Sequence, residues 1–149
     1  MTKIITKLLI ISLLLASMLV LSSCASLGPA YQKVEMIPAD VGLVYIYRPS
    51  SFVGGGVSYD IKIGETPIVT LYNCGYYPYF SKPGEIEFWA QTESKSSVTL
   101  DVKAGQTYYI KGTVGIGIIV GRPHLMVMTQ EAAEKEILAC KLIPVEEKK

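Results

Sequence analysis

The side chains able to do chemistry are few and scattered. His124 is the sole histidine, so a Ser-His-Asp relay would have to be built around it. No Gly-x-Ser-x-Gly elbow precedes it, and the nearest cysteine along the chain, Cys140, falls on a helical position predicted to face the core. His124 follows Arg122-Pro123 and reads as a partly exposed strand residue. A metal needs three or four ligands. The chain has no Cys-x-x-Cys, no His-x-x-x-His and no carboxylate cluster, so no metal and no cofactor are expected. Glu85 and Glu87 share one strand face beside a turn. Such a pair does acid–base work only when burial drives its pKa values apart, and this one reads as a solvated face. The expectation is a protein that is not an enzyme.

Residues suited to binding are more numerous. Arg48-Pro49 and Arg122-Pro123 each end an apolar strand. If those strands are neighbours, two guanidinium groups converge on an anion: a carboxylate, a sulfate or a glycan acid. Otherwise each pairs with a local acid such as Asp60. Tyr72, Tyr76, Tyr77, Tyr79 and Phe80 crowd nine residues. Loop tyrosines offer large contact area at low entropic cost, so Tyr76, Tyr77 and Tyr79 form a candidate patch for an envelope protein or glycan. Gly54-Gly55-Gly56 opens a strand rather than a helix, which argues against a phosphate cradle and for a loop or bulge. Gly115 to Gly121 is apolar and uncharged. It could touch a membrane or a partner, and is read here as a buried strand.

The elements that must position these residues are mostly strands. Val57, Tyr59, Ile61 and Ile63 alternate with polar residues, as do Ile86, Phe88 and Ala90, and Val98, Leu100 and Val102. This alternation puts one face on a core and the other in water. Leu43 to Tyr47 is continuously apolar, as expected of a strand covered on both sides. Gly64-Glu65, Lys82-Pro83-Gly84 and Ala104-Gly105 mark turns. Thr129 to Cys140 reads as a helix, capped by Thr129, with Ala133, Ile137 and Cys140 on one face; it is expected to cover an open end or edge of the sandwich. The fold class is all-β: an antiparallel β-sandwich with one C-terminal helix. At 149 residues, 50% apolar and 18% charged, the chain suffices for one packed domain. A net charge of +1 without a basic block excludes the electrostatic case for nucleic acid.

Residues 1–23 read as a cleaved secretory signal, with Lys3 and Lys7 before an apolar run from Leu8 to Leu21. Leu21-Ser22-Ser23-Cys24 resembles the lipobox of bacterial lipoproteins. The resemblance implies a diacylglyceryl group on the Cys24 thiol, cleavage before it, and membrane attachment through acyl chains, with palmitate among them. Ala25 is similar to the residue that follows the cysteine in outer-membrane-sorted members, which implies a cell outer membrane location facing the periplasm. The inner membrane stays open. Residues 24–40 are read as a lipidated tether that lets the domain stand off the membrane, 41–143 as the sandwich with its helix, and 144–149 as a flexible tail. An exported compartment permits disulfides, so Cys74 and Cys140 are a possible bridge, with two separate buried thiols as the alternative.

Val44-Tyr45-Ile46-Tyr47-Arg48-Pro49-Ser50-Ser51-Phe52-Val53-Gly54, Pro83-Gly84-Glu85, Ala104-Gly105-Gln106-Thr107-Tyr108-Tyr109-Ile110, Val120-Gly121-Arg122-Pro123 and Cys140-Lys141-Leu142 together resemble a bacterial lipoprotein family known as a domain of unknown function, number 2846. The resemblance implies a β-sandwich on a lipid anchor and no known activity. The Pro-Gly-Glu and Ala-Gly-Gln-Thr-Tyr-Tyr stretches are also similar to small Ig-like or transthyretin-like modules. The reading is a lipid-anchored cell-envelope lipoprotein with a non-catalytic binding or scaffolding domain. The alternative is a small periplasmic hydrolase or an accessory subunit of an envelope enzyme.

Overall fold

The structure is a computed structural model and describes residues 27–144. Residues 1–26, which include the segment read as a signal and Cys24, and residues 145–149 lie outside the described residues. The strands are β1 (Gly42–Arg48), β2 (Tyr59–Ile63), β3 (Thr66–Leu71), β4 (Gly75–Ser81), β5 (Gly84–Gln91), β6 (Lys95–Val102), β7 (Thr107–Gly115), β8 (Arg122–Met128) and β9 (Lys141–Leu142). One helix, α1 (Gln130–Ile137), lies between β8 and β9.

The strands form two sheets, ordered β8-β7-β1-β4-β9 and β3-β2-β5-β6. The second is antiparallel throughout. The first is mixed, which corrects the all-antiparallel expectation: β1 runs parallel to β7 and β4 parallel to β9. Chain path is the reason. After β1 the chain crosses to the second sheet, returns as β4, crosses again, and comes back as β7 along the free edge of β1. Parallel neighbours require such long connections.

Between the sheets lie Val44, Ile46 and Ile110 from one side and Ile61, Leu71, Phe88 and Val102 from the other. The opposite face of the first sheet is also apolar. Leu43, Tyr45, Tyr47, Tyr76 and Tyr109 are covered by Ala133 and Ile137 of α1 and by Tyr31, Val34 and Ile37. This third layer explains the unbroken apolar run of β1, in which all seven residues are buried. The helix therefore covers a sheet face rather than an end or edge. Ala133 and Ile137, four apart, make one stripe, and Thr129 caps it by accepting the Ala132 amide at 3.4 Å. Glu136 accepts from the Tyr47 hydroxyl at 2.9 Å and from Lys111 Nζ at 2.7 Å, fixing the helix on the sheet.

The segment read as a stand-off tether is docked from Leu27 onward. The Gly28 amide donates to the Leu142 carbonyl at 2.7 Å, the Leu142 amide to Pro29 at 2.8 Å, and the Tyr31 amide to Cys140 at 2.9 Å. The exposed ladder edge of β9 is thereby paired. The Tyr31 ring stands edge-on to Tyr45 and Tyr76, with centroids 5.5 and 5.1 Å away.

Candidate functional site

Strand directions gather four connections at one end of the sandwich. β1 ends at Arg48, which pairs with Gly75 at the start of β4. β7, parallel to β1, ends there at Gly115, opposite Arg122. The β5–β6 turn arrives beside them, since Thr92 Oγ1 donates to the Gly121 carbonyl at 2.6 Å.

Two of these connections are apolar and exposed. Ten large apolar side chains stand exposed among the described residues, and six of them are Phe52, Val53, Ile116, Ile118, Ile119 and Val120. Ile118 and Ile119 are 86% and 88% exposed. The run from Gly115 to Gly121 is thus a projecting loop beyond β7, not the expected buried strand. The loops are adjacent because both back onto Val114. A Cβ on Gly54 would lie 2.6 Å from the Val114 side chain, and one on Gly121 2.8 Å from it. Both glycines also have positive φ, 68° and 104°, so a side chain there is excluded twice over.

Each loop is held by a buried or inward-turned polar side chain. Arg48, only 1% exposed, donates to the Val57 carbonyl at 2.5 Å and to the Gly54 carbonyl at 2.6 Å. Its guanidinium carbon lies 5.9 Å from the centre of the Tyr59 ring. Asn73 accepts the Ser51 amide and donates to the Ser51 carbonyl, both at 3.0 Å. The second loop is held by Glu93 from the β5–β6 turn. Its carboxylate accepts the amides of Ile118 at 2.8 Å, Val120 at 2.6 Å, Gly121 at 3.4 Å, and also Ile119. These amides, led by that of Ile118, hold the Glu93 carboxyl down to about 2.

The expected pair of arginines does not form one anion site. Both terminal nitrogens of Arg48 are taken by carbonyls of its own loop, and Arg122 Nε lies 3.8 Å from Glu93. Asp60 is not the partner of either; it accepts from Thr70 Oγ1 at 2.6 Å. The tyrosine patch is also divided by the alternation of β4. Tyr76 is buried against Tyr31, Tyr79 packs edge-on to Phe88 with centroids 6.0 Å apart, and Tyr77 is half-buried. Cys74 and Cys140 are free thiols on adjacent chain segments, their Sγ atoms directed at the carbonyls of Ala139 and Arg48. His124, Glu85 and Glu87 are exposed strand residues, with Glu87 3.5 Å from Lys95. No group of three or more potential metal ligands occurs among the described residues.

Sequence reasoning missed Glu93. It is a lone acid in Gln91-Thr92-Glu93-Ser94, and nothing local marks it as the partner of a distant loop. The exposure of Ile116 to Val120 did have a signal. Gly115, Gly117 and Gly121 are too closely spaced for a strand with side chains to pack.

The fold and this end define a class: a small two-sheet β-sandwich, backed by a helix, that presents two braced apolar loops. The chain belongs to the family described as Protein of unknown function (DUF2846), whose sequence model matches residues 38–123. The match runs from just before β1 to the start of β8 and includes both apolar loops and Glu93. No curated protein and no solved structure matches the chain.

Proposed function

We propose that this protein is a lipid-anchored cell-envelope lipoprotein whose sandwich domain acts by binding or scaffolding, without catalysis, on the periplasmic side of the outer membrane. The observation that supports this reading best is the docked N-terminal segment. Leu27 packs against the inter-sheet core, and Gly28 is hydrogen-bonded to β9. Cys24 is only three residues upstream, a span of at most about 11 Å. An acylated Cys24 therefore holds the folded body at the bilayer surface, where a diacylglyceryl group plus a third chain gives stable attachment. Three inward-turned charged groups have structural work: Arg48 and Glu93 brace loops, and Glu136 fastens α1.

The test is metabolic labelling with an alkyne fatty acid, followed by the intact mass of the mature protein. The expected product begins at Cys24 and carries the label, and Cys24→Ala loses it. A mature wild-type protein without acyl mass overturns the reading.

A further inference from the structure

We propose that the paired apolar loops, Phe52-Val53 and Ile116 to Val120, enter the headgroup boundary of the bilayer that holds Cys24, so that the domain stands with this end against the membrane. The proposal rests on the lipid-anchor reading and adds an orientation and a lipid-binding surface to it.

Four observations carry it. First, the anchor and the loops share an end. Leu27 lines a shallow hollow together with Gly55, Gly56, Val57, Tyr72 and Asn73, so the segment leading to Cys24 leaves the domain beside the Phe52 loop. Second, the side chains project singly. Phe52 is fully exposed and Ile116, Ile118 and Ile119 are each at least 85% exposed. Isolated projections suit a fluid acyl phase, whereas a protein partner of standard affinity needs a complementary surface. Third, neither loop carries charge: residues 49–58 and 115–121 contain no Asp, Glu, Lys or Arg. Of the charges behind them, Arg48 is used on two carbonyls and Glu93 on four amides, and the exposed Arg122 at the base of the second loop lies 3.8 Å from Glu93. Fourth, those same bonds satisfy backbone groups within the protein. A loop leaving water needs its amides paired, and Glu93 pairs the run from Ile118 to Gly121.

Acylation adds to this. Tethering converts insertion into an intramolecular step, so side chains that reach only about 5–10 Å into the boundary suffice to orient the domain.

The experiment uses the full lipidated protein in phosphatidylethanolamine–phosphatidylglycerol vesicles containing lipids brominated on the acyl chain. A Trp89→Phe background removes the native tryptophan. Phe52→Trp and Ile118→Trp report the loops, and Lys82→Trp, in the exposed turn at the opposite end, is the control. The expected result is quenching several-fold stronger at positions 52 and 118 than at 82. If the protein floats with the vesicles but all three positions are quenched alike, the loops face water and the proposal fails while the anchor reading stands. If the protein does not float, the anchor reading fails and this proposal with it. If position 118 becomes shielded from iodide only when envelope protein is added, the occupant is a protein and the proposal is overturned.

Discussion

Glu93 and Ile118 are 25 residues apart in the chain, yet the Glu93 carboxylate accepts the Ile118 amide at 2.8 Å. With the three following amides on the same carboxylate, one turn residue sets the shape of the whole second loop. Glu93→Ala leaves those amides without a partner. Hydrogen exchange should then show loss of protection at residues 118–121, with strand amides unchanged. Retained protection at 118–121 contradicts the brace.

The same brace has a pH signature. The amides bind the ionised carboxylate, and they lower its pKa from 4.5 to about 2. A depressed carboxylate contributes its stabilisation above the unfolded value and loses it as pH falls through the folded value. Loop protection should be constant from neutral pH down to about 4.5, and should vanish between there and about 2. An NMR titration of the Glu93 side-chain carboxyl carbon reads this directly. A midpoint at the ordinary glutamate value rejects it.

Arg48 braces the first loop from inside. Among the described residues it is the largest fully buried side chain, and its two terminal nitrogens serve two carbonyls. Hydrogen bonds from a charged donor contribute about 1.5–3 kcal/mol each, and an orphaned buried acceptor carries its own desolvation cost. Arg48→Met keeps the apolar volume and removes both bonds, and is expected to destabilise by about 2–4 kcal/mol in urea unfolding. Arg48→Lys recovers only part of this, because an ammonium cannot span two carbonyls as the guanidinium fork does. A loss under about 0.5 kcal/mol in Arg48→Met, the size of an ordinary surface change, shows that the loop does not depend on it.

What the sequence made legible follows from how local the signal was. The alternation in β2, β5 and β6 and the Thr129 cap are short-range patterns, and the structure has them. The continuous run in β1 correctly indicated cover on both faces, but not that α1 and the Tyr31 segment supply one of the layers. That depends on pairing Leu142 with Gly28 and Pro29, far apart in the chain. The mixed first sheet was illegible for the same reason, since strand direction is set by crossovers and leaves no mark on residue alternation. Arg48 was singled out as a binding residue, but its side chain turned inward, where the carbonyls of Gly54 and Val57 stand in for the expected anion.

Cys74 and Cys140 each precede one residue of a registered pair, Gly75 and Lys141, and the Lys141 amide donates to the Cys74 carbonyl at 2.9 Å. That bond places the two cysteines on neighbouring chain segments, with Cys74 turning out of the strand at a φ of 61°, and a bridge requires their Cα atoms to lie within about 7 Å. Oxidation by a disulfide such as oxidised glutathione should join the two thiols, each giving up its proton and one electron. Burial pushes the Cys140 thiol up to about 12, so the half-buried Cys74 is the nucleophile that starts the exchange. The expected product has lost two hydrogens in mass and resists alkylation after unfolding. Its loop closure is worth on the order of 4 kcal/mol in the unfolded chain. Two alkylated thiols after oxidised glutathione treatment refute the bridge.

The last prediction concerns Tyr31, on which the docking of residues 28–34 depends. Its ring stands between Tyr45 and Tyr76, and its amide completes the pairing with Cys140. Tyr45 in turn accepts the Val34 amide at 2.7 Å, and the Tyr76 hydroxyl accepts that of Gln32 at 3.3 Å. The ring is thus the wedge that keeps residues 28–34 on the outer face of the first sheet. Tyr31→Ala opens a void between two tyrosines and is expected to cost about 2–3 kcal/mol, the lower part of the range for losing an aromatic ring. Because the segment precedes β1 and is held by a few contacts on the outer face of the first sheet and on β9, the loss should appear as local release before global unfolding. Exchange protection falls at the amides of Gly28, Tyr31, Gln32 and Val34, and protease cuts between Leu27 and Ile37 at concentrations that leave the wild type intact. Tyr31→Phe keeps the ring and should keep the segment docked. Equal cleavage of wild type and Tyr31→Ala would show that the backbone bonds to β9 hold the segment alone.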